Sequence, residues 1–157
     1  MSRIFFYSDP HFHHENMAIR RGFKNAEEMN NHIISEWNKI IHKKDTVILC
    51  GDITMEKDNY EILNKLNGIK KVILGNHDEP QHIKSLLKYV NSVQSMKYYK
   101  GIIITHAPIH PCELDYKYKY NIHGHVHNNS LDDKRYINVS AEVINYKPKL
   151  LKELVNE

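Results

Sequence analysis

Cysteines and long apolar runs are scarce in this sequence. The chain has two cysteines, Cys50 and Cys112, and neither lies in a CxxC pair, so no disulfide framework is predicted. Cys50 ends the apolar run that starts at Val47, which favours a buried, inert thiol. No apolar run reaches the roughly 18 residues of a membrane-spanning helix, and the N-terminus has too short an apolar stretch for a signal peptide. We therefore expect a protein of the cytoplasm.

A strong charge of one sign is also missing. The formal net charge of +3 tolerates an anionic partner without predicting one. The alternating Tyr and Lys residues at 116–120 resemble a nucleic-acid patch, but a solvated loop or an edge strand is the preferred interpretation. Since there is no linker, internal repeat or low-complexity segment, residues 1–157 are interpreted as a single domain. The oligomeric state stays open, because an exposed apolar patch cannot be located from sequence.

Short apolar runs alternate with amphipathic helices in the first half of the chain. The runs predict strands at 4–7, 47–50, 72–74, 102–104 and 136–139, with weaker candidates at 120–122 and 90–99. The first four are continuous rather than alternating, which predicts strands covered on both faces. Helices are predicted after Asn25 and after Asp58, each with a glutamate at capping-box spacing, and from Pro80. The order βαβαβα, followed mostly by strands, predicts an α/β fold with parallel pairing at its start.

Twelve histidines are the unusual feature of the composition, and their positions are informative. Imidazole is the commonest metal ligand and the usual acid–base group near neutral pH. Polar residues of this kind follow five predicted strands: Asp9 and His11, then Asp52, then Asn76 to Asp78, then His106, and finally His123 to His127. Ligands bind at the carboxyl ends of parallel strands, where such loops converge. We therefore predict one site built from all five segments.

The residue types indicate a metal centre. Carboxylate, amide and imidazole groups together suit ions such as Mn, Fe or Zn. Seven ligands are too many for one tetrahedral ion and suit two ions that share a carboxylate. The predicted bridge is Asp52, which comes from a central strand and follows a glycine that allows close backbone approach. Asp9 and His11, like His125 and His127, are two positions apart. In an extended segment this spacing places both side chains of a pair on the same side. The predicted ligands are Asp9, His11, Asp52, Asn76, His106, His125 and His127.

The charge of this centre favours a phosphoryl substrate. Two divalent ions exceed the negative charge of two carboxylates and a bridging hydroxide, and such a pair can clamp a phosphoryl group during in-line displacement. His77 is the predicted general acid for the leaving group, and Asp78 is predicted to fix its tautomer.

These motifs resemble those of the calcineurin-like metallophosphoesterases. Asp9-x-His11, Gly51-Asp52, Gly75-Asn76-His77-Asp78, His106 and Gly124-His125-x-His127 match that family in order and type. The resemblance implies a four-layer αββα sandwich, in which two mixed β-sheets are flanked by helices. It also implies hydrolysis of phosphomonoesters or phosphodiesters with two divalent transition-metal ions, manganese foremost and Fe, Zn, Ni or Co as alternatives.

The resemblance also divides the ligands between the ions. Asp9, His11 and His127 would hold one ion, while Asn76, His106 and His125 would hold the other, with Asp52 as the bridge. The segments 9–16, 28–38 and 138–148 are similar to a small bacterial and phage branch without a cap domain. Gly51-Asp52 lacks the following Asp-Arg-Gly of the Ser/Thr protein phosphatases, which speaks against that role.

Two other functions are considered beside hydrolysis of a small phosphoester. One is a nuclease or nucleotide phosphodiesterase acting on nucleic acid, which the absence of a long basic stripe disfavours. The other is a metal-bound scaffold without catalysis, although no ligand is missing. The residues whose roles the sequence leaves open, as substrate contacts, ligand supports or surface groups, are His13, His14, Asn16, Arg20, Arg21, His110 and His123.

Overall fold

The computed structural model describes residues 3–56 and 58–155 of the chain. Within them the strands are β1 (Ile4–Tyr7), β2 (Thr46–Leu49), β3 (Ile69–Ile73), β4 (Ser92–Gln94), β5 (Lys97–Tyr99), β6 (Ile102–Ile104), β7 (Tyr120–His123), β8 (Tyr136–Asn138) and β9 (Lys149–Leu150). The helices are α1 (Glu15–Arg20), α2 (Ala26–Ile40), α3 (Ile83–Leu86), α4 (Pro111–Tyr116) and α5 (Leu151–Leu154), with 3-10 turns at Glu61–Lys65 and Pro80–His82.

The strands form two mixed sheets. The first has the order β4-β3-β2-β1-β9, in which β1 to β4 are mutually parallel and β9 is antiparallel to β1. The second has the order β5-β6-β7-β8, in which β6, β7 and β8 are parallel and β5 is antiparallel. One hydrophobic cluster contains side chains of both sheets, such as Phe6, Ile48 and Ile104. The two mixed sheets with their helices confirm the predicted α/β sandwich.

The predicted strands are confirmed with small shifts in their ends. The run at 90–99 forms two strands rather than one, because β4 joins the first sheet and β5 the second. The chain therefore passes from one sheet to the other at Ser95 and Met96. Cys50, which was predicted to be buried, is indeed fully buried, and burial raises the pKa of its thiol.

Helix α2 forms as its sequence predicts. Asn25 is its N-cap, and its side chain accepts a hydrogen bond from the backbone N–H of Glu28. The apolar face buries Met29, Ile33 and Trp37, and the Trp37 indole donates a hydrogen bond to a backbone carbonyl at 2.9 Å. The N–H of the buried indole therefore has a hydrogen-bond partner, and the apolar face of α2 is part of the core.

The helix predicted after Asp58 is wrong in type and position. The structure has a 3-10 turn at Glu61–Lys65 with Tyr60 as its N-cap and no side-chain capping bond. Asp58 adopts a left-handed φ of 59° and pairs with His82 at 2.7 Å. The capping pattern fails here because the aspartate is engaged by another segment. The helical segment predicted from Pro80 does begin there, as a 3-10 turn that continues into α3.

The two sheets are joined where their parallel strands end. Ser8 follows β1 and forms a parallel bridge with Ser140, which follows β8. The backbone N–H of Ser8 donates to the carbonyl of Val139, and that of Ala141 donates to the carbonyl of Ser8, both at 2.9 Å. The loops of both sheets consequently meet at one edge. Among the described residues no helix is long and apolar enough to cross a membrane.

Candidate metal centre

The seven predicted ligands lie on loops that follow five parallel strands of the two sheets. Asp9 and His11 follow β1, Asp52 follows β2 and Asn76 follows β3, all in the first sheet. In the second sheet, His106 follows β6, whereas His125 and His127 follow β7. The prediction that residues far apart in sequence meet at one edge agrees with this geometry.

The backbone of these loops differs from the predicted extended form. Asp9, His11, Asp52, His125 and His127 all have left-handed φ values, between 48° and 68°, which residues with a Cβ adopt rarely and at a cost in energy. The side chains of Asp9 and His11 still converge, but through this curled backbone. Strained backbone concentrated on candidate ligands is typical of a functional site.

One cluster consists of Asp9, His11 and His127, whose ligand atoms lie within 4.8 Å of one another. Oδ1 of Asp9 is 3.6 Å from Nε2 of His11. Three buried atoms of this pair have no hydrogen-bond partner in the described residues, namely Asp9 Oδ1 and both ring nitrogens of His11. Buried polar atoms are normally paired, so their convergence fits a cation as the common partner.

The second cluster consists of Asp52, His106 and His125, and Asn76 belongs to it. His106 must donate through Nδ1, because its partner is the carbonyl of Cys50 at 2.6 Å. Its Nε2 then faces Oδ1 of Asn76 at 2.9 Å and Nδ1 of His125 at 3.1 Å. This convergence of oxygen and nitrogen atoms also fits a divalent ion.

Asp52 lies between the two clusters. Its Oδ2 is 3.6 Å from Nε2 of His11 and 3.4 Å from Nε2 of His106, while its Oδ1 accepts the backbone N–H of His77 at 3.0 Å. One carboxylate oxygen thus faces a histidine of each cluster, which is the arrangement required of a bridging ligand.

Electrostatics supports ionised carboxylates at this centre. Burial opposes ionisation of Asp9, but the adjacent His11 ring and Ser8 hydroxyl, together with the backbone N–H of His125, hold its pKa below its usual value. The pKa of Asp52 is likewise lowered, since its interaction with His106 outweighs burial. Burial disfavours the charged form of His106, yet the hydrogen bond and charge of Asp52 raise its pKa to about 9. The position between Asp52 and His106 therefore attracts positive charge.

The glycines of the motifs allow segments to approach more closely than a Cβ would permit. A Cβ on Gly75 would lie 2.2 Å from Oδ1 of Asp52, and one on Gly124 would lie 2.1 Å from Oδ2 of Asp9. A Cβ on Gly51, which has a φ of 91°, would lie 2.5 Å from the backbone nitrogen of Gly75. The predicted reason for a glycine before Asp52, close backbone approach, agrees with this contact.

Comparison with known proteins now adds to the geometry. The model of the calcineurin-like phosphoesterase superfamily domain matches residues 3–145. The chain belongs to this superfamily. An uncharacterized protein of Methanocaldococcus jannaschii is 37% identical over 161 residues, covering 94% of this chain and 86% of that protein. The gene 66 protein of Mycobacterium phage L5 is 35% identical over 86 residues, which are 51% of this chain and 42% of that protein.

A solved structure has the same fold as this calcineurin-like phosphoesterase. It is a protein of unknown function from Aquifex aeolicus, with a TM-score of 0.79, 28% sequence identity and coverage of 98% of both chains. The superfamily indicates metal-dependent phosphoester hydrolysis, and the two Asp/His clusters provide places for the metals.

Asp78 has a different role in this calcineurin-like phosphoesterase from the predicted one. Its buried carboxylate accepts backbone N–H groups of Asp52 and Gly75 at Oδ2, both at 2.8 Å, and of Ile53 at Oδ1 at 3.0 Å. Burial raises the pKa of Asp78 in spite of these bonds. The carboxylate therefore organises the loops that carry the ligands, rather than orienting the ring of His77.

His77 lies at the rim of the centre. Its side chain is exposed, and its ring centroid is 5.7 Å from that of His11. This position is compatible with the predicted contact with a leaving group, which stays a prediction. His14 also borders the centre, with its ring 5.6 Å from that of His11, while its Nδ1 caps α1.

The remaining undecided residues divide into partly or fully buried supports and surface groups. His13 hydrogen bonds with Asn30 through both its backbone N–H and its ring. His123 is buried, with Nδ1 against the carbonyl of Gly124. Exposed positions are occupied by Asn16, Arg20 and His110.

Sequence reasoning missed the support that Arg21 and Glu142 give to the predicted ligands. The Arg21 side chain, expected on an exposed turn or at a phosphate, is only 3% exposed and contacts Glu142 at 2.6 Å. Oε1 of Glu142 in turn accepts a hydrogen bond from Nδ1 of His127 at 2.6 Å, and this bond raises the pKa of His127. For Glu142, the available signal was its position in the 138–148 segment, which was already noted for its family resemblance.

Proposed function

We propose that this protein hydrolyses phosphoesters of small substrates with two divalent ions, manganese foremost. The observation that carries the proposal is the position of Asp52 Oδ2, which lies 3.6 Å from His11 and 3.4 Å from His106. A carboxylate shared by two clusters supports a dinuclear centre rather than two separate metal sites.

The chain provides the ligands and the charge that such a reaction needs. Asp9, His11 and His127 would hold one ion, and Asn76, His106 and His125 the other. When bound, the ions supply Lewis-acid stabilisation of the phosphoryl oxygens and a nucleophile at neutral pH. Two carboxylates neutralise only half of the charge of two divalent ions, which favours an anionic substrate.

The centre is open to solvent on one side, where a substrate can reach it. Asn76, His77 and His125 are all exposed at the open edge of the centre. In this proposal the ring of His77 donates a proton to the oxygen of the leaving group. General acids of this kind contribute typically about 10²–10⁴-fold to a rate.

The test uses the full chain loaded with Mn²⁺. We expect turnover of p-nitrophenyl phosphate or bis-p-nitrophenyl phosphate, and loss of that turnover in Asp52→Asn. Asp132→Asn, which changes an exposed aspartate that belongs to neither Asp/His cluster, is the matched control and retains activity. If the chain binds two ions but cleaves neither ester with Mn, Fe, Zn, Ni or Co, the proposal is wrong and a metal-bound scaffold is favoured. Cleavage of oligonucleotides in preference to both small esters would favour a nuclease instead.

A further inference from the structure

The two clusters of the metal centre hold their histidines by different means. In one, Nδ1 of His106 donates to the backbone carbonyl of Cys50 at 2.6 Å. In the other, Nδ1 of His127 donates to the side-chain carboxylate of Glu142 at 2.6 Å. A backbone carbonyl moves only with the fold, whereas a carboxylate must itself be held in place.

Arg21 holds this carboxylate. Its Nη2 lies 2.6 Å from Oε2 of Glu142, and the two side chains are 3% and 11% exposed. Both oxygens of Glu142 are therefore engaged, one by Arg21 and one by His127. Because a buried carboxylate is stable only when it is paired and hydrogen bonded, the guanidinium makes the position of Glu142 possible.

The same guanidinium reaches the loop that carries the other two ligands of that cluster. Nη2 of Arg21 donates to the carbonyl of Asp9 at 2.8 Å, and Nη1 donates to the carbonyl of Pro10 at 3.1 Å. Near Glu142, the hydroxyl of Ser140 donates to Oδ2 of Asp9 at 3.2 Å. Arg21 and Glu142 thus connect Asp9, the loop leading to His11 and the ring of His127.

We propose that Glu142, held by Arg21, is a positioning residue that sets the affinity of the ion position formed by Asp9, His11 and His127. Its hydrogen bond to Nδ1 leaves Nε2 of His127 for the ion and fixes the rotation of the ring. The ring of His106 in the other ion position is held by the Cys50 carbonyl, and Glu142→Gln leaves that hydrogen bond in place. The inference rests on the proposed function for the use of the ions, but metal binding is measured without turnover.

The physical expectation is an unequal loss of the two ions. Removing a hydrogen-bond partner of a histidine ligand typically weakens metal binding by about 10–100-fold. Glu142→Gln keeps the size of the side chain and an acceptor oxygen but removes the charge paired with Arg21. Glu142→Ala removes both the acceptor and the charge, so its effect on the same ion is expected to be larger.

The experiment measures Mn²⁺ binding to the full chain by equilibrium dialysis, with electron paramagnetic resonance to detect coupled ion pairs. Wild type is expected to bind two ions as a coupled pair. Glu142→Gln is expected to keep one ion at wild-type affinity, to bind the second about 10–100-fold more weakly, and to lose the coupled signal at limiting Mn²⁺. Glu113→Gln, at an exposed position of α4, is the matched control and binds as wild type.

Each outcome separates this proposal from its rivals. Wild-type binding of both ions in Glu142→Gln and Glu142→Ala overturns it, as does an equal weakening of both ions, which indicates a merely structural role. Denaturant unfolding of the metal-free variants is measured beside it, because loss of the buried Glu142–Arg21 pair is itself expected to lower apo stability. Positioning predicts that the loss of metal affinity nevertheless falls on one ion only. If the wild type binds two ions but cleaves no ester, the proposed function fails while the unequal binding in Glu142→Gln still supports this inference. A wild-type chain that binds no ion overturns both.

Discussion

The backbone N–H of His125 donates a hydrogen bond of 2.9 Å to Oδ2 of Asp9. Asp9 follows the first strand of one sheet, and His125 follows a central strand of the other. This bond therefore joins the loops of the two sheets, and it leaves Oδ1 of Asp9 facing Nε2 of His11 at 3.6 Å. Assembly of the metal centre consequently depends on how closely the sheets approach at this point.

Gly124→Ala is expected to weaken both the fold and metal binding. A Cβ at this position would lie 1.9 Å from Oγ of Ser8 and 2.1 Å from Oδ2 of Asp9, so the sheets must separate locally. Overpacking of this kind costs about 1–3 kcal/mol. The free energy of unfolding, from denaturant titration of the metal-free protein, and the Mn²⁺ content together check this prediction.

Gly22→Ala is the matched control for that experiment. Gly22 has a left-handed φ of 82°, but a Cβ there meets nothing within 4 Å. We expect a stability loss of about 1–2 kcal/mol from the backbone alone, with normal metal content. Equal metal loss in the two variants would contradict the proposed importance of sheet closure at Gly124.

Asp78→Asn is expected to destabilise the metal-free protein. The carboxylate accepts three backbone N–H groups, at 2.8, 2.8 and 3.0 Å, and an amide nitrogen in place of one oxygen would face a donor. Loss of charge-assisted bonds of this kind costs roughly 1.5–3 kcal/mol. Denaturant unfolding of the apo protein measures it, with Asp132→Asn as an exposed control. Unchanged apo stability with a reduced rate would instead support the predicted action through His77.

The sequence predicted which loops meet at this edge, because the positions of the candidate ligands follow from local patterns. Each of Asp9, Asp52 and His106 comes two positions after the end of a short apolar run, and parallel strands bring such positions to one edge. Recognising which segments form parallel strands was therefore enough to predict which loops meet. The left-handed backbone at Asp9 and His125 was not predictable in this way, because it depends on contacts between the two sheets.

The supporting residues could not be predicted for a related reason. Arg21 and Glu142 are 121 positions apart, and no local pattern distinguishes a buried arginine of this kind from one on an exposed turn. Asp78 was misread for the opposite reason, since its neighbour His77 suggested a local partnership. Its carboxylate is instead turned toward the backbone of another segment, at Asp52 and Ile53.

Asp45 is expected to contribute stability that is lost in acid. Arg3 lies against its carboxylate at 2.6 Å, and their hydrogen bond lowers the pKa of Asp45 from 3.8 to about 2. A depressed folded-state pKa gives stability that is complete above the unfolded value and disappears as the pH falls through the folded value. The stability difference between wild type and Asp45→Asn should therefore shrink between about pH 4 and pH 2.

The measurement is denaturant unfolding of both proteins across that pH range, in chelator so that acid release of metals does not contribute. Asp132→Asn, at an exposed aspartate, should show no comparable pH dependence. A difference between wild type and Asp45→Asn that stays constant down to pH 2 would contradict the role assigned to Arg3.

His77→Ala is expected to keep both ions and lose most of the rate. The contact of this residue with the metal centre is its backbone N–H, which donates to Oδ1 of Asp52 at 3.0 Å and survives the substitution. The lost ring would no longer protonate the leaving group, at a cost of typically about 10²–10⁴-fold. Metal analysis and turnover measurements check the two halves of this prediction, with His42→Ala at an exposed histidine as the control.

The choice of leaving group distinguishes a general acid at position 77 from a residue that only binds phosphate. A p-nitrophenolate departs with little help from a proton, whereas phenolate needs one, so the loss in His77→Ala should be larger for phenyl phosphate than for p-nitrophenyl phosphate. A residue that merely binds the phosphate would slow both esters alike, because the phosphoryl group is the same. Loss of the ions in His77→Ala would exclude both roles and make His77 a ligand, which its exposed ring at the rim of the centre argues against.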